Sequence, residues 1–158
     1  MIRILYRDEQ GNIETDLQVD GIADKLQGSS NLIWVDLSEL PPATVEEILA
    51  DIFTFHPLAI DDALNETHVP KVDEWYNYLY VVLRAAELAA DDKQQLLVPE
   101  LDIFLGDNFL VTYSWDHIAA LDRVWGHCAH DERWLVRGPD SVSYTHLRAH
   151  ETNESIAY

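Results

Sequence analysis

The sequence predicts an α/β fold in which a mixed parallel and antiparallel sheet of six to seven strands is layered between helices. Three observations predict it. The runs NLIWVDL (31–37) and ELDIFLGDNFLVTYSW (100–115) are dense in β-branched and aromatic residues. PATVEEILADIF (42–53) and HIAALDRVWGHCAHDERW (117–134) instead carry apolar residues at helical spacing. Several strand pairs are joined by short turns while others are separated by helices, which implies a mixed sheet and not a purely doubly wound one.

The elements follow in chain order. IRILY (2–6) alternates as a first strand, and the turn at 8–12 leads into NIETDLQV (12–19), a hairpin partner with apolar residues at 13, 17 and 19. DGIADKLQG (20–28) predicts a short helix stopped by Gly28. After the buried strand at 31–37, Ser38 to Pro42 break the pattern, and Val45, Ile48, Leu49 and Ile52 line one face of the next helix with acids opposite. HPLAIDDALN (56–65) is a short helix with Pro57 at its first position, where the missing N–H has no intrahelical partner anyway. PKVDEWYNYLYVVLRAAEL (70–88) predicts two strands meeting near Tyr76–Asn77, or one long bent strand. Gly106-Asp107-Asn108 between two apolar runs is a hairpin signal. In the last helix Ile118, Leu121, Trp125 and Cys128 share a face. The core is expected from Trp34, Val35, Val81, Leu83, Ile103 and Phe104.

Composition narrows the function. The 158 residues suit one domain, with 47% hydrophobic residues, five Trp and seven Tyr arguing against disorder. Ten basic against 29 acidic residues leave a formal charge of −19, which repels nucleic-acid backbones and anionic membranes and attracts cations. The single cysteine, Cys128, rules out an internal disulfide and fits a reducing compartment. The N-terminus lacks a signal-peptide pattern, and the most apolar stretch, 78–90, is broken by Arg84 and Glu87, so a soluble, cytosolic chain without a membrane span is expected. The final segment, 141–158, is rich in His, Ser, Thr and Asn without apolar periodicity, and is expected to be a disordered or non-native tail after a domain spanning 1–140.

Few motifs carry chemistry. No glycine-rich phosphate loop and no GxSxG elbow occurs, and Cys128 on an apolar helix face reads as packing rather than as a nucleophile. HCAHDE (127–132) holds donors suited to a transition metal, with His127 and His130 three apart, but lacks a second donor pair, so solvated histidines are the better reading. Asp61 and Asp62 stand out more. They lie in the second turn of a short apolar helix, past the reach of the N-terminal dipole, and neighbours on a helix diverge by about 100°. Either one is solvated and the other accepts a hydrogen bond from nearby backbone or from His56, or the pair is part of a hard-cation site. Mg²⁺ prefers carboxylate oxygen and often takes only one or two protein carboxylates, so such a site needs completion by another segment or chain.

The blocks HPLAIDDALNETHVPKVDEWYNYLYVVLRA and ELDIFLGDNFLVTYSW resemble the N-terminal cytosolic domain of the CorA family of divalent-cation channels. His56, Pro57, Leu58, Asp62, Pro70, Lys71, Val72, Tyr78, Leu105, Gly106, Asn108, Phe109 and Thr112 fit the family pattern, as do WVDL at 34–37 and GPD at 138–140. The resemblance spans roughly 1–140 and implies the soluble-domain fold of that family. It further implies a cytosolic, Mg²⁺-sensing regulatory domain of a magnesium/cobalt channel in the inner or plasma membrane. The partners it implies are divalent cations and further copies of the chain, as a pentamer.

By the same resemblance, Asp61 and Asp62 line an intersubunit site for a regulatory Mg²⁺, completed by stalk aspartates, with Co²⁺ or Zn²⁺ as the other candidate ions; two carboxylates without those stalk donors are expected to bind the ion only weakly. The sequence departs from the family after the GPD stretch. Its only methionine is Met1, so the Gly-Met-Asn pore loop is absent from it, and the segment from Ser141 does not resemble the stalk. The fragment alone is therefore expected not to conduct ions and to associate weakly at most. A zinc-transporting branch of the superfamily is the near alternative. A free-standing metal-dependent hydrolase using Asp61, Asp62 and His56 ranks lower, since no nucleophile or oxyanion arrangement accompanies the carboxylates, and the expectation is a protein that is not an enzyme.

Overall fold

The structure is a computed structural model that describes residues 1–28, 30–65, 69–88 and 95–130. Its centre is a seven-stranded sheet in the order β2-β1-β3-β9-β8-β5-β4. The strands are β1 (Ile2–Arg7), β2 (Ile13–Glu14), β3 (Leu32–Ser38), β4 (Lys71–Glu74), β5 (Tyr78–Arg84), β8 (Glu100–Gly106) and β9 (Phe109–Ser114). A separate two-stranded ribbon joins β6 (Glu87–Leu88) to β7 (Leu96–Leu97). Within the large sheet β3 and β9 run parallel, and every other pairing is antiparallel. The predicted mixed sheet is thus observed, with seven strands.

Strand β3 is buried along its whole length because both of its faces are covered. Ile33, Val35 and Leu37 pack on one side with Val45, Ile48 and Leu49, and with Ala59, Ile60 and Ala63 of α3 (Pro57–Leu64). Trp34 packs on the other side with Ile118, and with Leu121, Val124 and Cys128 of α4 (Ala119–His130). Alternation of side chains along a strand produces this division, and it puts α3 and α4 on opposite faces. Burial pushes the Cys128 thiol up to about 11, consistent with packing and not with nucleophilic chemistry. Glu87 caps α4 from outside the helix, its carboxylate accepting the N–H groups of Ala119 (3.2 Å) and Ala120 (2.8 Å).

Local elements differ from expectation where length or cap chemistry is short. The second strand extends only over Ile13–Glu14, because the following residues are mostly exposed and gain little from pairing. The 20–28 segment divides into a 3₁₀ turn, Val19–Gly21, and one helical turn, α1 (Ile22–Lys25). The 42–53 helix begins as α2 (Pro42–Glu47) and widens into a π turn, Ile48–Ile52, which seats Ile48 and Leu49 in the core. Thr54 follows with φ 53°, a strained corner for a β-branched residue, before Phe55 and the start of α3. The 70–88 segment forms two strands, β4 and β5, separated at Trp75–Asn77 as the two-strand reading had it, plus the short β6. Val81 and Leu83 are only partly buried, at the rim of the α4-side core, because they lie toward the β4 edge. Trp125 is likewise partly buried, and Val124 takes the inward position beside it.

The β8–β9 hairpin pairs Leu105 with Leu110 as the Gly106–Asn108 signal predicts. Gly106 is needed for contact rather than for an unusual φ: a Cβ there would lie 2.2 Å from the Phe109 ring. Asn108 then anchors the hairpin tip, its amide donating to the carbonyls of Leu26 (3.0 Å) and Gly28 (2.7 Å) and to Asn31 Oδ1 (3.1 Å). The tail expected over 141–158, the GPD stretch and the boundary at residue 140 lie outside the described residues.

Candidate metal site on the edge of α3

Helix α3 starts at His56, whose extended backbone precedes Pro57 and whose Nδ1 accepts the Leu58 N–H at 3.2 Å. The His56 ring stacks on Trp75 at 4.2 Å, and the His56 backbone N–H donates to the Tyr78 hydroxyl at 3.0 Å. These contacts fix the helix against β5. They also commit Nδ1 of the His56 ring to capping the helix. Ala59, Ile60 and Ala63 face the sheet, which leaves Asp61 exposed and Asp62 at the boundary.

Each carboxylate has its own neighbour. Asp61 Oδ1 accepts from the Asn65 amide at 2.9 Å, one helical turn on. Asp62 Oδ2 pairs with the Lys71 ammonium, which also reaches Asp73 Oδ2 at 2.8 Å. Burial opposes the charge on Lys71, and the two aspartates outweigh it, so the ammonium is held above its ordinary pKa. The Lys71 Nζ lies 5.2 Å from the centre of the Tyr80 ring. Tyr80 in turn donates its hydroxyl to Asp102 Oδ1 at 2.5 Å.

Asp102 is fully buried, and among the described residues its Oδ2 has no hydrogen-bond partner. Burial raises its pKa to about 8, and nearby Glu100 and Asp62 push the same way while the Tyr80 hydrogen bond and Lys71 oppose them. Tyr80 is raised as well, by burial first and by the adjacent Asp102. Sequence reading missed this chain of contacts. Its one visible signal is an acid, Asp102, set inside the apolar strand LDIFLG.

A second buried acid lies on the opposite face of the sheet. Asp36 accepts two hydrogen bonds from Arg3 (2.6 and 3.0 Å) and one from the Thr112 hydroxyl (2.6 Å). Arg3 continues to Asp122 (2.6 Å), which His117 also contacts (2.6 Å), and Trp34 Nε1 donates to the Thr112 hydroxyl (3.1 Å). This network clamps β1, β3 and β9 to α4 and has its hydrogen bonds satisfied internally. Within the HCAHDE segment Cys128 is buried while His127 and His130 are exposed, and Asp131 and Glu132 lie outside the described residues.

Asp61 and Asp62 supply oxygen donors of the hardness Mg²⁺ prefers. Among the described residues, however, no group of three or more His, Cys, Asp or Glu side chains is gathered to hold a metal ion. Among the described residues, no helix is long and apolar enough to cross a membrane.

Comparison with known proteins points the same way as the fold. Residues 29–150 match the family model of the CorA-like Mg²⁺ transporter protein. A protein of Bacillus subtilis (strain 168) named as a metal ion transporter, YfjQ, is 33% identical over 111 residues, covering 70% of this chain and 33% of its own length. The chain thus spans about a third of that relative. Among solved structures, the soluble domain of CorA from Methanocaldococcus jannaschii superposes with a TM-score of 0.67 at 18% identity, covering 92% of this chain and 54% of that one. The ZntB cytoplasmic domain from Vibrio parahaemolyticus superposes with a TM-score of 0.66 at 12% identity, covering 94% and 57%.

Proposed function

The chain belongs to the CorA-like Mg²⁺ transporter family, and from that premise we propose that it is the cytosolic, Mg²⁺-sensing regulatory domain of a magnesium/cobalt channel. The observation that carries this reading is the placement of Asp61 and Asp62 on the outer edge of α3, outside its packed face, where among the described residues no group of three or more His, Cys, Asp or Glu side chains is gathered to hold a metal ion. Such a half-site is useful where a second subunit completes it. Bound Mg²⁺ then bridges acidic subunits that otherwise repel, and its loss shifts the assembly toward an open state. The role is regulatory rather than enzymatic, and the partners are divalent cations and other copies of the chain in a pentameric channel.

Zinc transport is the second reading, favoured by the superposition on the ZntB cytoplasmic domain. Carboxylate-only donors favour Mg²⁺ over Zn²⁺, which more often takes imidazole or thiolate. The deciding experiment is thermal unfolding in MgCl₂ against NaCl at matched ionic strength, which removes general screening of the acidic chain. It is run on the parent and on an Asp61→Asn/Asp62→Asn variant. For a half-site of about 1 mM affinity, 10 mM Mg²⁺ stabilises by about 1.4 kcal/mol. The parent should show that Mg²⁺-specific increment and the variant should lose it. Identical responses would remove the ion role of the pair.

A further inference from the structure

The α3 edge already holds a cation, and it belongs to the protein. The Lys71 ammonium sits at the first residue of β4, bonded to Asp62 Oδ2 and Asp73 Oδ2 and lying over the Tyr80 ring. Behind Tyr80 the Asp102 carboxyl is sealed from solvent, its Oδ2 without a hydrogen-bond partner among the described residues, and Asp62, Glu100 and Lys71 all act on it electrostatically. This face therefore concentrates carboxyl groups from α3, β4 and β8 around one ammonium.

We propose that Lys71 is a built-in competitor for the ion: its ammonium holds Asp62 when no divalent cation is present and must release that carboxylate when one binds. This rests on the reading of Asp62 as an ion ligand and adds the residue that sets the affinity. Mg²⁺ bonds oxygen at about 2.1 Å, closer than an ammonium hydrogen bond, so both cannot occupy Oδ2 without direct charge repulsion. Lys71 thereby keeps the site weak, as a sensor must be if it is to empty at low Mg²⁺. It also keeps α3 and β4 together in the empty state, since Asp62 and Asp73 lie on those two elements and Lys71 bridges them.

The test is a Mg²⁺ titration at constant ionic strength, followed by amide chemical shifts of 57–65 and 69–74. It compares the parent, Lys71→Met, Lys71→Gln and Lys71→Arg, each also with Asp62→Asn. Removing the ammonium should tighten Mg²⁺ binding about tenfold, the screened repulsion of a dication by one neighbouring charge. Lys71→Gln should tighten it similarly while keeping hydrogen bonds to the aspartates, which covers the case of a Lys71→Met chain that does not fold. Lys71→Arg should keep the parent midpoint, and Asp62→Asn should abolish the differences. Midpoints that are the same with and without the charge, or no Mg²⁺ response in any of the four chains, would overturn the proposal. A parent that responds through Asp61 and Asp62 while Lys71→Gln leaves its midpoint unchanged would sink this inference and leave the ion-site reading standing. A chain that binds Mg²⁺ through Asp62 only after Lys71 is neutralised would do the reverse.

Discussion

Replacing Asp102 by Asn should stabilise the protein at neutral pH and remove one component of its pH dependence. The carboxyl is fully buried, and burial raises its pKa to about 8 from an ordinary 3.8. Between those values the folded chain keeps a proton that the unfolded chain releases, so this group's contribution is fully present below the ordinary carboxylate range. It is lost as pH rises toward 8. Over this interval stability falls by about 1.4 kcal/mol per pH unit from this one group. From pH 5.5 to pH 7.5 the loss amounts to about 2.5 kcal/mol. An amide has nearly the same shape, still accepts from the Tyr80 hydroxyl and does not titrate. Urea unfolding of both chains at several pH values isolates the effect, because the other acids cancel in the difference. The advantage of Asp102→Asn should grow with pH and level off above about pH 8.5. A difference that stays flat from pH 5.5 to pH 7.5 would refute the reasoning and mean that Asp102 is ionised in the folded state throughout.

Two further predictions concern the frame around the site. Arg3→Met leaves the buried Asp36 with the Thr112 hydroxyl alone and should cost about 3 kcal/mol in urea unfolding, with Asp36→Asn in the same chain costing less than the sum of the two single changes. Gly106→Ala puts a methyl against the Phe109 ring and should destabilise by about 2 kcal/mol, seen as a lowered denaturant midpoint with an unchanged slope.

Local sequence determined those parts of the protein whose cause is local. The β8–β9 hairpin follows from Gly106-Asp107-Asn108 between apolar runs, and β3 from seven consecutive residues that all find burial. Helix α3 follows from Pro57 and its apolar turns, and the position of Asp61 and Asp62 outside its packed face follows from helical geometry. The motif blocks pointed to the family because they combine such local features in one order. Other features required the chain to be brought together. The parallel pairing of β3 with β9 joins residues 76 apart, such as Ile33 and Phe109, and neither strand's pattern specifies its neighbour. The same holds for Asp36 and Asp102. Each is visible in the sequence as an acid in an apolar strand, but Arg3 and Thr112 satisfy the first, while the second keeps one oxygen unpaired among the described residues. Lys71 is nine residues from Asp62 and on a different element, so its seat between Asp62, Asp73 and Tyr80 exists only once β4 has paired with β5 beneath α3. Periodicity and turn chemistry act over a few residues; charge compensation and burial depend on which strands become neighbours, and that is decided by packing the whole sheet.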